Sequence, residues 1–205
     1  MVVPRPFAAV ALRILLLGAP LPLSGQGGMS GMTGMDMGRE IVIPSGALYT
    51  RADVEFMQGM IAHHAQAIVM TRMAAAHAAN PQVLKLAQKI DQSQMPEIIL
   101  MQKWLRRYGQ YAPDTSSWHH VRMAGMLTDE QLAALDAAQG VDFDRAFLQG
   151  MIQHHAGALK MVDDLFASPR AGQDVDVNVF ANDVVTAQTG EIGIMRRLLS
   201  QLPAK

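Results

Sequence analysis

Residues 56–70 read FMQGMIAHHAQAIVM, and nearly the same segment returns as FLQGMIQHHAGALKM at residues 147–161. The offset of 91 positions pairs His63 with His154. In the first copy, apolar side chains and His63 recur at alternating steps of four and three residues, which is typical of a helix with one buried face. Each copy is therefore predicted to form an amphipathic helix. The repeat also predicts equivalent roles for His63 and His154, both on the core face.

A second helix is predicted to follow each copy. Asn80 followed by Pro81 is typical of a helix N-cap and first helical position, and Asp174 stands at the corresponding place in the second half of the chain. The motif Gln-x-x-Glu-Ile-x-x-Met at residues 94–101 returns at residues 188–195, an offset of 94 positions. Each repeat is thus a helical hairpin, and the loop of the second hairpin is three residues longer.

Two such hairpins predict an all-α fold, an antiparallel four-helix bundle. We place the bundle at residues 47–203, with repeat one at 51–109 and repeat two at 141–201. The linker at 110–140 is predicted to contain a short helix, which begins at the capping box Thr128 to Gln131. In this arrangement the histidine pairs point into the bundle, where side chains from the second helix of each hairpin can meet them.

The polar side chains on the inward faces are potential metal ligands. The second histidines of the pairs, His64 and His155, are predicted beside the core face, where Glu97 and Glu191 can approach the histidines. A buried imidazole or carboxylate needs a partner, so these groups form either a structural hydrogen-bond network or a metal site. Two histidine pairs with methionine on the same face favour a metal. The predicted ligands are His63, His64, His154, His155, Met60, Met151, Met70, Met161, Glu97, Glu191, Met101 and Met195.

The N-terminal part of the chain is predicted to be an export signal followed by a tail. Residues 1–28 have the features of a signal peptide, since two arginines accompany an apolar run that is too short to span a bilayer. Residues 29–46 are a flexible tail, rich in glycine and methionine, that cannot bury enough surface to fold. Its methionines are either incidental to a linker or auxiliary ligands for a soft ion, namely Met29, Met32, Met35 and Met37.

Composition excludes several classes of protein and ligand. The chain of 205 residues has no cysteine, so it has no disulfide, no lipobox and no thiolate ligand. A formal net charge of -1 argues against a nucleic-acid partner. The 16 methionines exceed what gap-filling in a core requires. His119 and His120 in the linker are either ordinary exposed residues or an auxiliary metal site.

The two motifs together carry a family resemblance. Met-Ile-x-His-His-Ala at residues 60–65 and 151–156, combined with the Gln-x-x-Glu-Ile-x-x-Met motif of each repeat, resembles the domain-of-unknown-function 305 family of exported bacterial proteins. The resemblance covers residues 52–199, including the linking MAGMLTDEQLAAL. It implies a ferritin-like helical bundle, and some members of that family are periplasmic copper-binding proteins linked to copper resistance. Pro96 and the longer second loop depart from the simplest pattern without removing a candidate ligand.

The leading prediction is a periplasmic or secreted protein that sequesters or relays Cu(I), with Ag(I) as a second candidate ion. It would be a binding protein rather than an enzyme, with other copper-handling proteins as candidate partners and no stable membrane insertion after signal cleavage. One alternative is a ferritin-like metal oxidase, but such di-iron sites use four carboxylates, and the predicted inward faces of the helices carry only two glutamates. The other alternative is a scaffold or partner-binding bundle with a polar core and no metal.

Overall fold

The computed structural model describes residues 40–204, in which the secondary structure is helical. The predicted signal at 1–28 and the candidate ligands Met29, Met32, Met35 and Met37 lie outside the described residues. The helices are α1 (Arg51–His77), α2 (Pro81–Arg107), α3 (Asp129–Ala137), α4 (Gly140–Ala167) and α5 (Val175–Gln201), with a 3-10 helix at Ser117–His120. The predicted all-α bundle of two hairpins joined by a linker with a short helix is confirmed.

Side-chain caps define where the helices begin. Asn80 accepts a hydrogen bond from the Gln82 backbone N–H and precedes Pro81 at the start of α2. Asp174 accepts from two backbone N–H groups of the first turn of α5. Thr128 forms the predicted capping box at the start of α3. Each such cap typically contributes about 1 kcal/mol, so these local signals largely determine the helix boundaries.

The two hairpins meet through α1 and α4. α1 packs along α2, and α4 packs along α5, whereas α2 and α5 make little contact with each other. Met70, beyond the middle of α1, lies against Gly150, before the middle of α4. Since His63 and His154 meet near the centres of the same two helices, α1 and α4 run antiparallel.

A buried aspartate in each repeat accepts hydrogen bonds from the hairpin loop of the other repeat. Asp53 near the start of α1 accepts a hydrogen bond of 2.7 Å from the Gly172 backbone N–H. Asp144, its repeat counterpart in α4, accepts from the backbone N–H groups of Ala79 at 3.2 Å and Asn80 at 2.8 Å. Both aspartates are fully buried. These carboxylates therefore have a structural role at the two ends of the bundle.

The linker between the hairpins is partly a core element. Val121, Met123, Met126 and Leu127 are all buried, and this part of the linker lies against α1 and α4. Because one linker joins two repeats, it can cover only one side of the α1–α4 crossing. The linker therefore breaks the symmetry that the repeat predicts.

The end of the segment predicted as a tail also contacts the bundle. Arg51 donates a hydrogen bond to the Ile41 carbonyl, and Gln110 donates to the Val42 carbonyl. Ile41 and Ile43 are half-buried and pack against the core. The packed part of the chain thus begins before residue 47. None of the described helices has a stretch long and apolar enough to cross a membrane.

Candidate metal centre

The first histidines of the two repeats lie ring to ring where α1 crosses α4. The ring centroids of His63 and His154 are 3.9 Å apart, and the ring planes are inclined by 41°. The exposed fractions are 0% for His63 and 1% for His154. The helical phase of the sequence places both on the core face, and the structure brings them into direct contact.

The hydrogen bonds of this histidine pair leave ring nitrogens available. Nε2 of His63 lies 3.0 Å from the Ala124 carbonyl oxygen, which can only accept, so in the neutral ring Nε2 carries the proton and Nδ1 keeps its lone pair. Within residues 40–204, His63 Nδ1 and both ring nitrogens of His154 have no well-formed hydrogen bond. An unsatisfied buried polar atom costs about 1–3 kcal/mol, so this arrangement needs a reason.

The linker makes the two histidines inequivalent. The repeat predicts the same role for His63 and His154, but the Ala124 carbonyl contacts His63 alone. This contact fixes the tautomer of the His63 ring, whereas no well-formed hydrogen bond does so for the His154 ring. The predicted equivalence is therefore wrong at the level of hydrogen bonding, because a single linker cannot serve both repeats.

Burial keeps both rings of the pair neutral. Removal from water, together with a smaller repulsion from the neighbouring His64, lowers the pKa of His63 to about 3, and the Ala124 hydrogen bond opposes this shift only partly. Burial is also the main reason why the pKa of His154 is well below its usual value. Repulsion from His63 and His155 contributes in the same direction, and an interaction with the His63 backbone opposes the shift more weakly. Neutral imidazole is the form that binds metal ions, so at pH 7 the pair needs no deprotonation to act as ligands.

The second histidines are each bonded to a glutamate. Nε2 of His64 lies 2.7 Å from Oε2 of Glu97, and Nε2 of His155 lies 2.9 Å from Oε2 of Glu191. Both histidines are fully buried, whereas they were predicted beside the core face. The difference arises because the second helix of each hairpin covers that side, and Phe180 of α5 also approaches His64. The glutamates thus orient the second histidines.

The two glutamates differ in their access to water, and this predicts unequal mutational effects. The exposed fraction of the side chain is 29% for Glu97 and 7% for Glu191. We expect Glu191→Ala to lower the free energy of unfolding by about 1–3 kcal/mol, because His155 loses its buried partner. Glu97→Ala should cost less, since water can reach the vacated position beside His64. Urea unfolding of both variants measures the difference, and equal losses would contradict it.

All six predicted methionine ligands are buried in two apolar clusters. The first cluster contains Met60, Met101 and Met161, and the second contains Met70, Met151 and Met195. Each methionine of one cluster has its repeat counterpart in the other cluster, so the core has an approximate twofold symmetry. The linker adds Met123 and Met126 to the first cluster alone. Because Met123 and Met126 lie outside the repeat motifs, the sequence gives no indication of this placement.

The available donors are soft rather than oxygen-rich. Within residues 40–204, no three side chains of His, Asp or Glu are grouped so that they could hold a metal ion. Asp53 and Asp144, the further oxygen donors on α1 and α4, are engaged with hairpin loops. The other candidate donors of the described core are imidazole nitrogens and the thioether sulfurs of the two apolar clusters, a donor set that suits Cu(I).

The auxiliary histidines lie apart from the buried pair. His119 and His120 are exposed on the 3-10 helix, where the His119 ring stacks on Trp118 at a centroid distance of 3.8 Å. The centroids of the two histidine rings are 6.4 Å apart. The structure therefore does not bring these residues into the central cluster.

Comparison with known proteins places the chain in a family. The sequence profile described as domain of unknown function (DUF305) matches residues 53–199. The chain belongs to the DUF305 family. No curated protein matches the chain.

Solved structures of other DUF305 proteins share the fold. A DUF305 fragment from Deinococcus radiodurans is 32% identical, with a TM-score of 0.65, covering 75% of this chain and 99% of that one. A DUF305 protein from Streptomyces coelicolor is 28% identical, with a TM-score of 0.65, covering 75% and 95%. CopM in its Cu(I)-bound form is 28% identical, with a TM-score of 0.60, covering 74% and 98%. CopM also has Ag-bound and Cu(II)-bound structures that match this chain.

Proposed function

We propose that this protein binds Cu(I), and Ag(I) as its chemical analogue, and sequesters or relays the ion outside the cytoplasm. The observation that carries the proposal is the buried His63–His154 pair, in which three ring nitrogens have no well-formed hydrogen bond within the described residues. Such nitrogens are costly in an apolar core unless they have another use. Binding a metal ion gives them one.

The donor chemistry around the pair supports a soft ion. Neutral imidazoles and buried thioethers are available without any thiolate, because the chain has no cysteine. Thioethers suit Cu(I) and Ag(I), and they are poor ligands for hard cations. CopM, a structural relative with the same fold, has Cu(I)-bound and Ag-bound forms. The ion is the cargo of the protein in this proposal, and no enzymatic step is involved.

The residues of the site would have distinct roles. His63 and His154 would be the nitrogen ligands, and the six predicted methionines of the two clusters would be the pool from which thioether donors are drawn. Glu97 and Glu191 would orient His64 and His155, as carboxylates commonly do behind metal-binding histidines. His119 and His120, together with the methionines of the predicted tail, would make weaker contacts during capture. Other copper-handling proteins are the proposed donors or acceptors of the ion.

The proposed location follows from the sequence and one relative. The N-terminal residues have the composition of an export signal. The Streptomyces coelicolor relative is described as a candidate secreted protein. An exported protein meets copper under oxidising conditions, where methionine and histidine are more durable ligands than free cysteine.

The test is a Cu(I) titration against a competing chelator, using the protein without its predicted signal. We expect His63→Ala combined with His154→Ala to lower the Cu(I) affinity by about 100-fold or more, since losing even a residue behind a ligand costs about 10–100-fold. His119→Ala combined with His120→Ala is the matched control for the affinity of the buried site, which it should leave unchanged because both imidazoles are exposed and lie outside the central cluster. Deleting residues 29–37 should slow capture and leave the affinity of the buried site unchanged.

Unchanged affinity in the first double variant would remove the proposal, provided that circular dichroism shows an intact helical fold. Protein that fails to retain Cu(I) or Ag(I) even as wild type would favour the metal-free scaffold instead.

A further inference from the structure

The linker forms a tight turn with a methionine at each end. The Met126 backbone N–H donates to the Met123 carbonyl at 3.2 Å, and Gly125 at the third position has a φ of +79°. Glycine adopts this left-handed conformation without strain. In such a turn the first and last Cα atoms lie within about 7 Å, so the side chains of Met123 and Met126 start close together.

Both helices of the central crossing clamp this turn over the histidine pair. On the α1 side, Gln66 donates to the Leu127 carbonyl at 3.0 Å and accepts from the Leu127 N–H at 2.8 Å. On the α4 side, Gln153 donates to the Gly125 carbonyl at 3.3 Å, and the absence of a side chain at Gly157 lets the turn approach the helix backbone. The turn is therefore held in one position.

The middle of the turn directly touches His63, one of the two candidate nitrogen ligands. The Ala124 carbonyl oxygen lies 3.0 Å from Nε2 of His63. Met123 precedes Ala124 and Met126 follows two residues later, so the backbone of both methionines lies close to the pair. Their side chains are buried, with exposed fractions of 9% and 7%, and pack in the first apolar cluster.

We propose that Met123 and Met126 are ligands of the ion bound at the His63–His154 pair. This inference rests on the proposed copper function and deepens it, because it assigns the linker a part in the site. The linker supplies methionines to the first apolar cluster alone, whereas its buried residues in the second cluster are leucines, so the ion binds on the side of the first cluster. The protein accordingly holds one central ion in an asymmetric site, although its helices form a repeat.

The first experiment removes the two sulfurs at nearly constant volume. Met123→Leu combined with Met126→Leu should cost less than about 1.5 kcal/mol per site in stability. We expect X-ray absorption at the copper edge to show a Cu–S contribution in the wild type that falls in this variant, while the Cu–N contribution remains. The Cu(I) affinity should fall by about 10-fold or more. Met73→Leu combined with Met95→Leu, at the half-buried margins of the two clusters, is the matched control and should change neither quantity.

A second measurement leaves the site unmutated. In wild-type protein with 13C-labelled methionine methyl groups, added Ag(I) should shift the signals of Met123 and Met126, assigned from the single leucine variants. Unshifted signals at both residues would overturn the inference, as would an undiminished Cu–S contribution in the double variant. Either result would leave copper binding itself intact, whereas a wild type that binds no Cu(I) would remove both proposals.

Discussion

We expect the metal-free protein to lose stability steeply as the pH falls below about 6.5, the ordinary pKa of histidine. In the unfolded chain His63 takes up a proton near that pH, but in the folded protein burial lowers its pKa to about 3. Between these two values the unfolded state binds one more proton than the folded state. Folding stability therefore falls by about 1.4 kcal/mol per pH unit for this residue, or about 2–3 kcal/mol by pH 4.5.

His154 adds to this loss in the same direction. Its pKa is also well below the usual value because of burial, so it too stays neutral in the fold where the unfolded chain is protonated. Two such groups can consume a large share of the roughly 5–15 kcal/mol that stabilises a typical domain. We expect acid unfolding well above the pH at which carboxylates are protonated.

The measurement is urea unfolding of chelator-treated protein between about pH 7.5 and pH 4.5. Combining His63→Leu with His154→Leu should flatten the dependence, since these groups no longer take up protons on unfolding. His119→Ala combined with His120→Ala should leave it as in the wild type, because both residues are exposed. A leucine variant with the slope of the wild type would show that the acid sensitivity arises elsewhere.

Gly157→Ala is expected to be the most disruptive small substitution in the bundle. A Cβ atom there would overlap the Ala124 carbonyl and approach within 2.5 Å of the Gly125 Cα, and both are backbone atoms that cannot turn aside. Overpacking of a closed core typically costs about 1–3 kcal/mol, and the upper end applies here because the linker turn must move away from α4. The hydrogen bonds that Gln66 makes with Leu127 should weaken at the same time.

Urea unfolding and amide hydrogen exchange at Leu127 test this expectation together. Gly190→Ala is the matched control, since a Cβ at Gly190 in α5 meets no atom within 4 Å. That substitution should stabilise the protein by roughly 0.5–1 kcal/mol, because alanine favours a helix interior over glycine. A Gly157→Ala variant that keeps wild-type stability and protection at Leu127 would contradict the close approach of the turn.

The local architecture could be predicted from the sequence because its signals are local. The phase of apolar residues fixes which side of α1 and α4 is buried, and it predicts His63 and His154 on that side. Asn80, Asp174 and Thr128 mark helix starts through hydrogen bonds to N–H groups two or three residues away. The duplication of the segment then predicted two hairpins, which the structure contains.

Only the tertiary structure could show how the linker completes the centre. The contact between His63 and Ala124 spans 61 residues, as do the two hydrogen bonds between Gln66 and Leu127. No periodicity in the sequence encodes such contacts, because they depend on how two helices and a turn pack in three dimensions. Full burial of His64 and His155 also depends on helices that the local pattern does not describe. The repeated sequence thus determined a symmetric frame, and the packing of the linker turn at residues 123–126, which has no counterpart in the repeat, made the candidate metal centre asymmetric.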